Sequence, residues 1–173
     1  QRQRQWHVQP WVAAHQQRVG VMGLGNLGMA VLDRLRAFGF NLKGWARSAK
    51  QIDAVECFAG TQQLPQFLGQ CDILICLLPL TQDTRGILNA STLAALPRGA
   101  KLINLGRGAH LVEADLLQAL DSGHLEHAML DVLNDEPPAA NHPFWLHSGI
   151  WLTPHIGAMT QPETAFEVLL ANI

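Results

Sequence analysis

The sequence predicts an α/β fold: a doubly wound parallel sheet with helices on both faces. From Arg18 onward, short apolar runs alternate with longer amphipathic segments, as strands buried on both faces and their crossover helices require. A glycine-bearing turn separates many of these runs from the segment that follows. Right-handed crossovers then lead to a doubly wound arrangement.

Residues 1–17, QRQRQWHVQPWVAAHQQ, differ from the rest and read as a linker or dimerisation arm, with Trp6 and Trp11 as its apolar contacts. Residues 18–173 read as one domain. Strands are expected at RVGVMG (18–23), NLKGWA (41–46), DILICLL (72–78), AKLINL (100–105), HAMLDVL (127–133) and IWLT (150–153). Helices are expected over NLGMAVLDRLRAFG, TQQLPQFLGQ, NASTLAALP, VEADLLQALDSG and TQPETAFEVLLANI. Thr160 and Glu163 have capping-box spacing, and Ser122-Gly123 reads as a helix stop. Pro65 is tolerable in its helix only if it falls in the first turn.

Composition limits the function classes. A chain of 173 residues, 48% hydrophobic, suffices for one domain with a core. The formal charge of −2 gives no reason to expect a nucleic-acid or membrane partner. The longest apolar run, ILICLLPL, has the length of a strand, not the ~20 residues of a bilayer span, and no secretory signal pattern opens the chain. Cys57, Cys71 and Cys76 form no C-x-x-C pair and read as reduced thiols of a cytoplasmic protein. No two of the eight histidines have H-x-x-x-H spacing, so no metal site is expected. The chain starts at Gln1 and stops at Ile173 inside an apolar, helix-like pattern, and therefore reads as a piece of something longer.

The first strand runs into GLGNLG, with Gly23, Gly25 and Gly28 at G-x-G-x-x-G spacing around Asn26 and Leu27. Gly23 permits the tight turn, Gly25 lets the backbone approach a pyrophosphate, and Gly28 lets helix and strand pack closely. Because the motif follows a strand and opens a helix, it marks a dinucleotide site. A site for NAD places an acid about 20 residues further on, against the ribose 2′-hydroxyl. Here no acid lies between Asp33 and Asp53, and the second strand ends in Arg47, Ser48 and Lys50. Those groups suit a 2′-phosphate, so NADP(H) is the preferred cofactor, with use of NAD(H) left open.

Ligands of open α/β sheets bind beyond the carboxyl ends of the strands. Three consecutive expected strands end near Arg107, Glu136 and His155. Taken singly, each is an ordinary loop residue; together they make a cation, a carboxylate and an imidazole on the ligand side of one sheet.

Through GLGNLG, LLPLTQDTRGIL, INLGRGAHLVEADLLQALDSG, AMLDVLNDEP and TPHIGAMT, the chain resembles the NAD(P)-binding domain of the D-isomer-specific 2-hydroxyacid dehydrogenases. RGAHLVEADLL and GWARS look most like the glyoxylate/hydroxypyruvate reductase A branch. The resemblance implies an NADPH-dependent reduction of a small 2-keto acid. It implies that Arg107 holds the substrate's carboxylate and carbonyl, that His155 is the general acid, and that Glu136 is its partner. A neighbouring carboxylate favours the protonated imidazole and fixes its tautomer. Leu78, Pro79 and Thr84 are implied on the adenosine and ribose side, and Leu105 and Gly106 count among the cofactor-binding residues. Asp131 is implied near the nicotinamide amide, although a buried structural hydrogen bond accounts for an acid in an apolar strand as well. His110 reads as structural or at the pocket rim.

Family members carry a second, substrate-binding domain from segments outside this sequence, so the chain alone is expected to be inactive or very weak. The resemblance also implies a homodimer joined through the arm. Two other readings stay open: a non-catalytic NADP(H)-binding regulatory module, and a β-hydroxyacid dehydrogenase, which would need a catalytic lysine. Lys43, Lys50 and Lys101 lie along or near strands instead.

Overall fold

The computed structural model describes residues 12–157. Most of the expected arm, with Trp6 and Trp11, and the expected last helix, with Thr160 and Glu163, lie outside the described residues. Among the described residues, seven strands form one sheet: β1 (Arg18–Met22), β2 (Asn41–Ala46), β3 (Glu56–Ala59), β4 (Ile73–Cys76), β5 (Ala100–Asn104), β6 (Leu125–Leu130) and β7 (Ile150–Leu152). Their order is β3-β2-β1-β4-β5-β6-β7, and every neighbouring pair is parallel. The order reverses between β1 and β4, which makes that crevice the topological switch point of a doubly wound sheet. The helices are α1 (Asn26–Arg36), α2 (Gly60–Leu68), α3 (Ala90–Ala94) and α4 (Glu113–Asp121).

Successive side chains of a strand face opposite sides, and both sides are covered. Val19, Val21 and Ile75 pack with Leu32 of α1 on one face, whereas Met22 and Leu74 pack with Phe67 of α2 on the other. Cys71 and Cys76 are buried and Cys57 is half-buried, and all three are free thiols. Burial pushes the Cys71 thiol up to about 12 and that of Cys76 up to about 11, so both stay protonated.

The expected element ends shift in instructive places. β3 was not expected: ECFA is only a strand of four residues, at the sheet edge, and runs directly into α2. β6 starts and ends earlier than HAMLDVL, because pairing begins at Leu125 against Ala100 and stops at Leu130 against Leu152. Asp131 therefore stands just past the strand end rather than inside it. Pro65 falls in the second turn of α2, not the first. The stop at Ser122-Gly123 is as expected: Gly123 takes φ +66, its N–H bonds Leu120 O, and His124 N–H bonds Ala119 O, a Schellman motif.

Candidate active site

Gly23 has φ +104, a backbone conformation that a side chain would strain. A Cβ on Gly28 would collide with the Gly23 carbonyl, so the start of α1 can press onto the turn only through glycine. Beside Gly25, by contrast, a Cβ would meet nothing within 4 Å. No side chain caps α1 at Gly25, which leaves its first amides open toward that space. Close packing behind and open space in front fit a bound pyrophosphate.

A cavity of about 710 Å³ is lined by Arg47, Ser48, Leu78, Pro79 and Thr84 among others, and by none of Gly23, Gly25, Asn26, Leu27 and Gly28, although a Cβ on Gly23 would come within 3.0 Å of Leu78 N. Thr81 and Asp83, inside LLPLTQDTRGIL, also line it, as do Gly60 and Thr61, which no sequence motif singled out. Lys50 is not part of the lining. The Thr84 hydroxyl donates to Pro79 O at 2.7 Å and accepts from Thr81 N at 2.8 Å, so it closes the turn that forms this wall.

A second cavity, about 440 Å³, is lined by Asp131, Glu136, Thr153 and His155 together with Leu133, Pro137, Pro138, Trp145, Leu152 and Pro154. His155 Nδ1 lies 2.7 Å from Glu136 Oε2, and the other Glu136 oxygen accepts from Leu133 N at 2.8 Å. Nε2 of the ring has no hydrogen-bond partner among the described residues. Burial alone would push the Glu136 carboxyl up; the Leu133 amide and His155 outweigh it and hold it below the usual range.

His155 itself has φ +53, a costly backbone conformation for a residue with a side chain. Its N–H bonds Asp131 O at 2.9 Å and Thr153 O at 3.0 Å. The buried Asp131 carboxylate then accepts from Thr153 Oγ1 at 2.5 Å, Ile156 N at 2.9 Å and Gly157 N at 2.8 Å. Burial raises the Asp131 carboxyl, but these bonds and the charge of His155 together keep it low. Asp131 thus fastens the residues on both sides of His155, with two bonds on Oδ1 and one on Oδ2. These bonds supply the structural partners expected of a buried acid, and Asp131 also lines the cavity that holds His155 and Glu136.

Arg107 is exposed, and its guanidinium donates to Gly106 O at 2.7 Å. Its peptide is gripped from inside the fold. Asn104, fully buried, donates from Nδ2 to Arg107 O at 3.2 Å. His110, also fully buried, accepts the Arg107 N–H on Nδ1 at 3.0 Å. Of the two readings of His110, this interior position fits the structural one and not the pocket rim. Burial pushes its pKa down.

Glycines bring the three loops into contact. A Cβ on Gly108 would strike the Leu133–Asn134 peptide, next to Glu136. One on Gly157 would come within 2.8 Å of Leu105 and 2.9 Å of Asp131. The loops bearing Arg107, Glu136 and His155 are therefore packed against one another.

The family model for the D-isomer specific 2-hydroxyacid dehydrogenase NAD binding domain matches residues 1–157. The chain belongs to this family. It is 50% identical to glyoxylate/hydroxypyruvate reductase A of Serratia proteamaculans over all of the chain and 55% of that protein. It is 47% identical to the same-named reductase of Yersinia enterocolitica over 90% of the chain and 50% of that protein. The chain thus spans about half the length of these curated relatives. A D-isomer specific 2-hydroxyacid dehydrogenase from Xanthobacter autotrophicus, solved with NADPH and MES, superposes with a TM-score of 0.95 at 43% identity, over 99% of this chain and 71% of that one. An NADPH-dependent glyoxylate/hydroxypyruvate reductase from Sinorhizobium meliloti, solved with NADP and sulfate, gives 0.93 at 39%, over 98% of this chain and 55% of that one.

Within the 2-hydroxyacid dehydrogenase frame, the glycine loop, the 710 Å³ cavity and the His155–Glu136 pair all lie beyond carboxyl ends of strands. Arg107, Leu105 and Gly106 line neither of the two cavities, although their loop packs against the one that carries Glu136. Among the described residues, no group of His, Cys, Asp or Glu could hold a metal ion. No helix among them is long and apolar enough to cross a membrane.

Proposed function

We propose that this chain is the dinucleotide-binding part of a reductase that converts a small 2-keto acid of the glyoxylate/hydroxypyruvate type to the 2-hydroxy acid, with NADPH preferred. The His155 Nδ1–Glu136 contact of 2.7 Å carries this reading, because it leaves Nε2 free as a proton donor. The names of the S. proteamaculans and S. meliloti relatives support the substrate class and the cofactor.

Gly23, Gly25, Asn26, Leu27 and Gly28 would hold the pyrophosphate, and Arg47 and Ser48 the 2′-phosphate. When bound, the cofactor supplies the hydride that goes to the carbonyl carbon. Arg107 grips the substrate carboxylate through a planar pair of N–H donors and orients the carbonyl. His155 gives a proton from Nε2 to the carbonyl oxygen, while its Nδ1–H stays on Glu136. Glu136, kept ionised, steadies the imidazolium before transfer and fixes the tautomer after it.

The full-length protein should reduce glyoxylate and hydroxypyruvate with NADPH in preference to NADH, followed by loss of absorbance of the reduced cofactor. Equal use of both cofactors would overturn the assignment of Arg47 and Ser48. No reduction of either acid with either cofactor would favour a non-catalytic NADP(H)-binding module.

A further inference from the structure

We infer that His110 is a positioning residue for Arg107, setting the substrate-gripping guanidinium relative to the cofactor end of β4; this rests on the reading of Arg107 given above. Lys43, Asn104, His110 and Asp131 are the buried polar or charged side chains among the described residues, and two of these four meet the Arg107 peptide. Asn104 holds its carbonyl and His110 holds its N–H. Since Nδ1 accepts that bond, the ring is neutral and carries its hydrogen on Nε2.

Two further contacts wedge the ring, and a third holds its backbone. Cys76 Sγ, at the end of β4, is 3.9 Å from Nδ1. A Cβ on Gly106 would come within 2.8 Å of Nδ1 and 3.1 Å of the Leu78 carbonyl, so ring, Gly106 and β4 end are in mutual contact. The His110 carbonyl accepts from Leu88 N at 2.8 Å, which anchors the turn from its other side. An apolar residue could fill this space but could not accept the Arg107 N–H. The imidazole therefore does what packing alone cannot: it fixes the direction of the peptide from which the guanidinium projects.

The test compares His110→Leu, His110→Asn and Arg107→Ala with wild type in the full-length protein. It measures steady-state kinetics with glyoxylate and NADPH, the Kd of oxalate as a 2-keto acid mimic, and the Kd of NADPH. His110→Leu should weaken oxalate binding and lower kcat/KM by about 30-fold, with the Kd of NADPH within about twofold of wild type. His110→Asn puts Oδ1 where Nδ1 was and should return both quantities to within about threefold of wild type. If His110→Leu does not fold, His110→Gln supplies the contrast, because its amide lies one bond beyond the Nδ1 position. Equal losses in His110→Asn and His110→Leu, or no loss in either while Arg107→Ala is crippled, would overturn the inference alone. Unchanged oxalate binding and turnover in Arg107→Ala would overturn the reading beneath it.

Discussion

Asp131, just past β6, and His110, in the turn after β5, are both buried polar side chains, and each holds a loop of the candidate site by a different chemistry. Asp131 uses a full charge. Its carboxylate collects a hydroxyl and two amides around His155, whose ring is itself pinned to Glu136. His110 uses a neutral acceptor and grips only the backbone of Arg107, whose guanidinium stays exposed with one bond to Gly106 O. The difference matches the roles proposed for His155 and Arg107. A proton donor needs one tautomer and one orientation throughout, so both backbone and ring are fixed. An arginine that closes on an incoming carboxylate needs a fixed base and a free head.

The sharpest way to break the comparison is on the charged side. Asp131→Ala leaves the Thr153 hydroxyl and the Ile156 and Gly157 amides without their acceptor and His155 in a strained backbone. Unfolding in denaturant should show a loss of about 3 kcal/mol, against under 1 kcal/mol for Arg107→Ala, whose side chain is exposed. Equal losses would remove the distinction between the two loops.

Arg107→Lys should come next, because an ammonium cannot form the bidentate grip. A fall of about 100-fold in kcat/KM for the keto acid, at unchanged melting temperature, is expected from kinetics and thermal unfolding. A twofold fall would mean that charge alone suffices.

The pH dependence of stability sharpens the comparison further. His110 binds its proton more weakly in the fold than in the unfolded chain, because of burial. The stability tied to its neutral form is present above the ordinary histidine value of 6.5 and is lost as pH falls through the lower folded value. Asp131 and Glu136 are also lowered, so their contribution is whole above their ordinary values of 3.8 and 4.5 and is lost as pH falls through the lower folded values. Melting temperature should therefore decline in two stages on acidification. His110→Asn should flatten the upper stage and Asp131→Asn the lower one. A decline in His110→Asn identical to wild type would contradict the buried neutral ring.

The smallest expected effect lies on the cofactor side. Arg47→Ala should weaken NADPH binding by about tenfold and leave NADH binding within about twofold, as read by fluorescence titration. Equal changes for the two cofactors would show that Arg47 does not read the 2′-phosphate.

The sequence carried the glycine loop, the alternation of strands and helices, and the placement of Arg107, Glu136 and His155 past strand ends, because each is a local pattern. It carried the supports poorly. Asp131 meets its partners across more than 20 residues, and nothing adjacent to it in the chain foretells that Thr153 and Gly157 will arrive. His110 lies three residues from Arg107, yet its burial depends on Leu88, Gly106 and the end of β4. Asn104 did leave a sign: it is an amide at a buried position of a largely apolar strand, two residues before Gly106-Arg107. β3 was missed because its four residues lack a period long enough to distinguish a strand from a turn.

The central claim, that His155 is a proton donor held by Glu136, is tested most directly by His155→Ala in the full-length protein. The account predicts that kcat for keto-acid reduction falls by about 10³-fold, while the Kd of NADPH stays within about twofold of wild type. Turnover within a few-fold of wild type, or a loss explained by weaker NADPH binding, would contradict it.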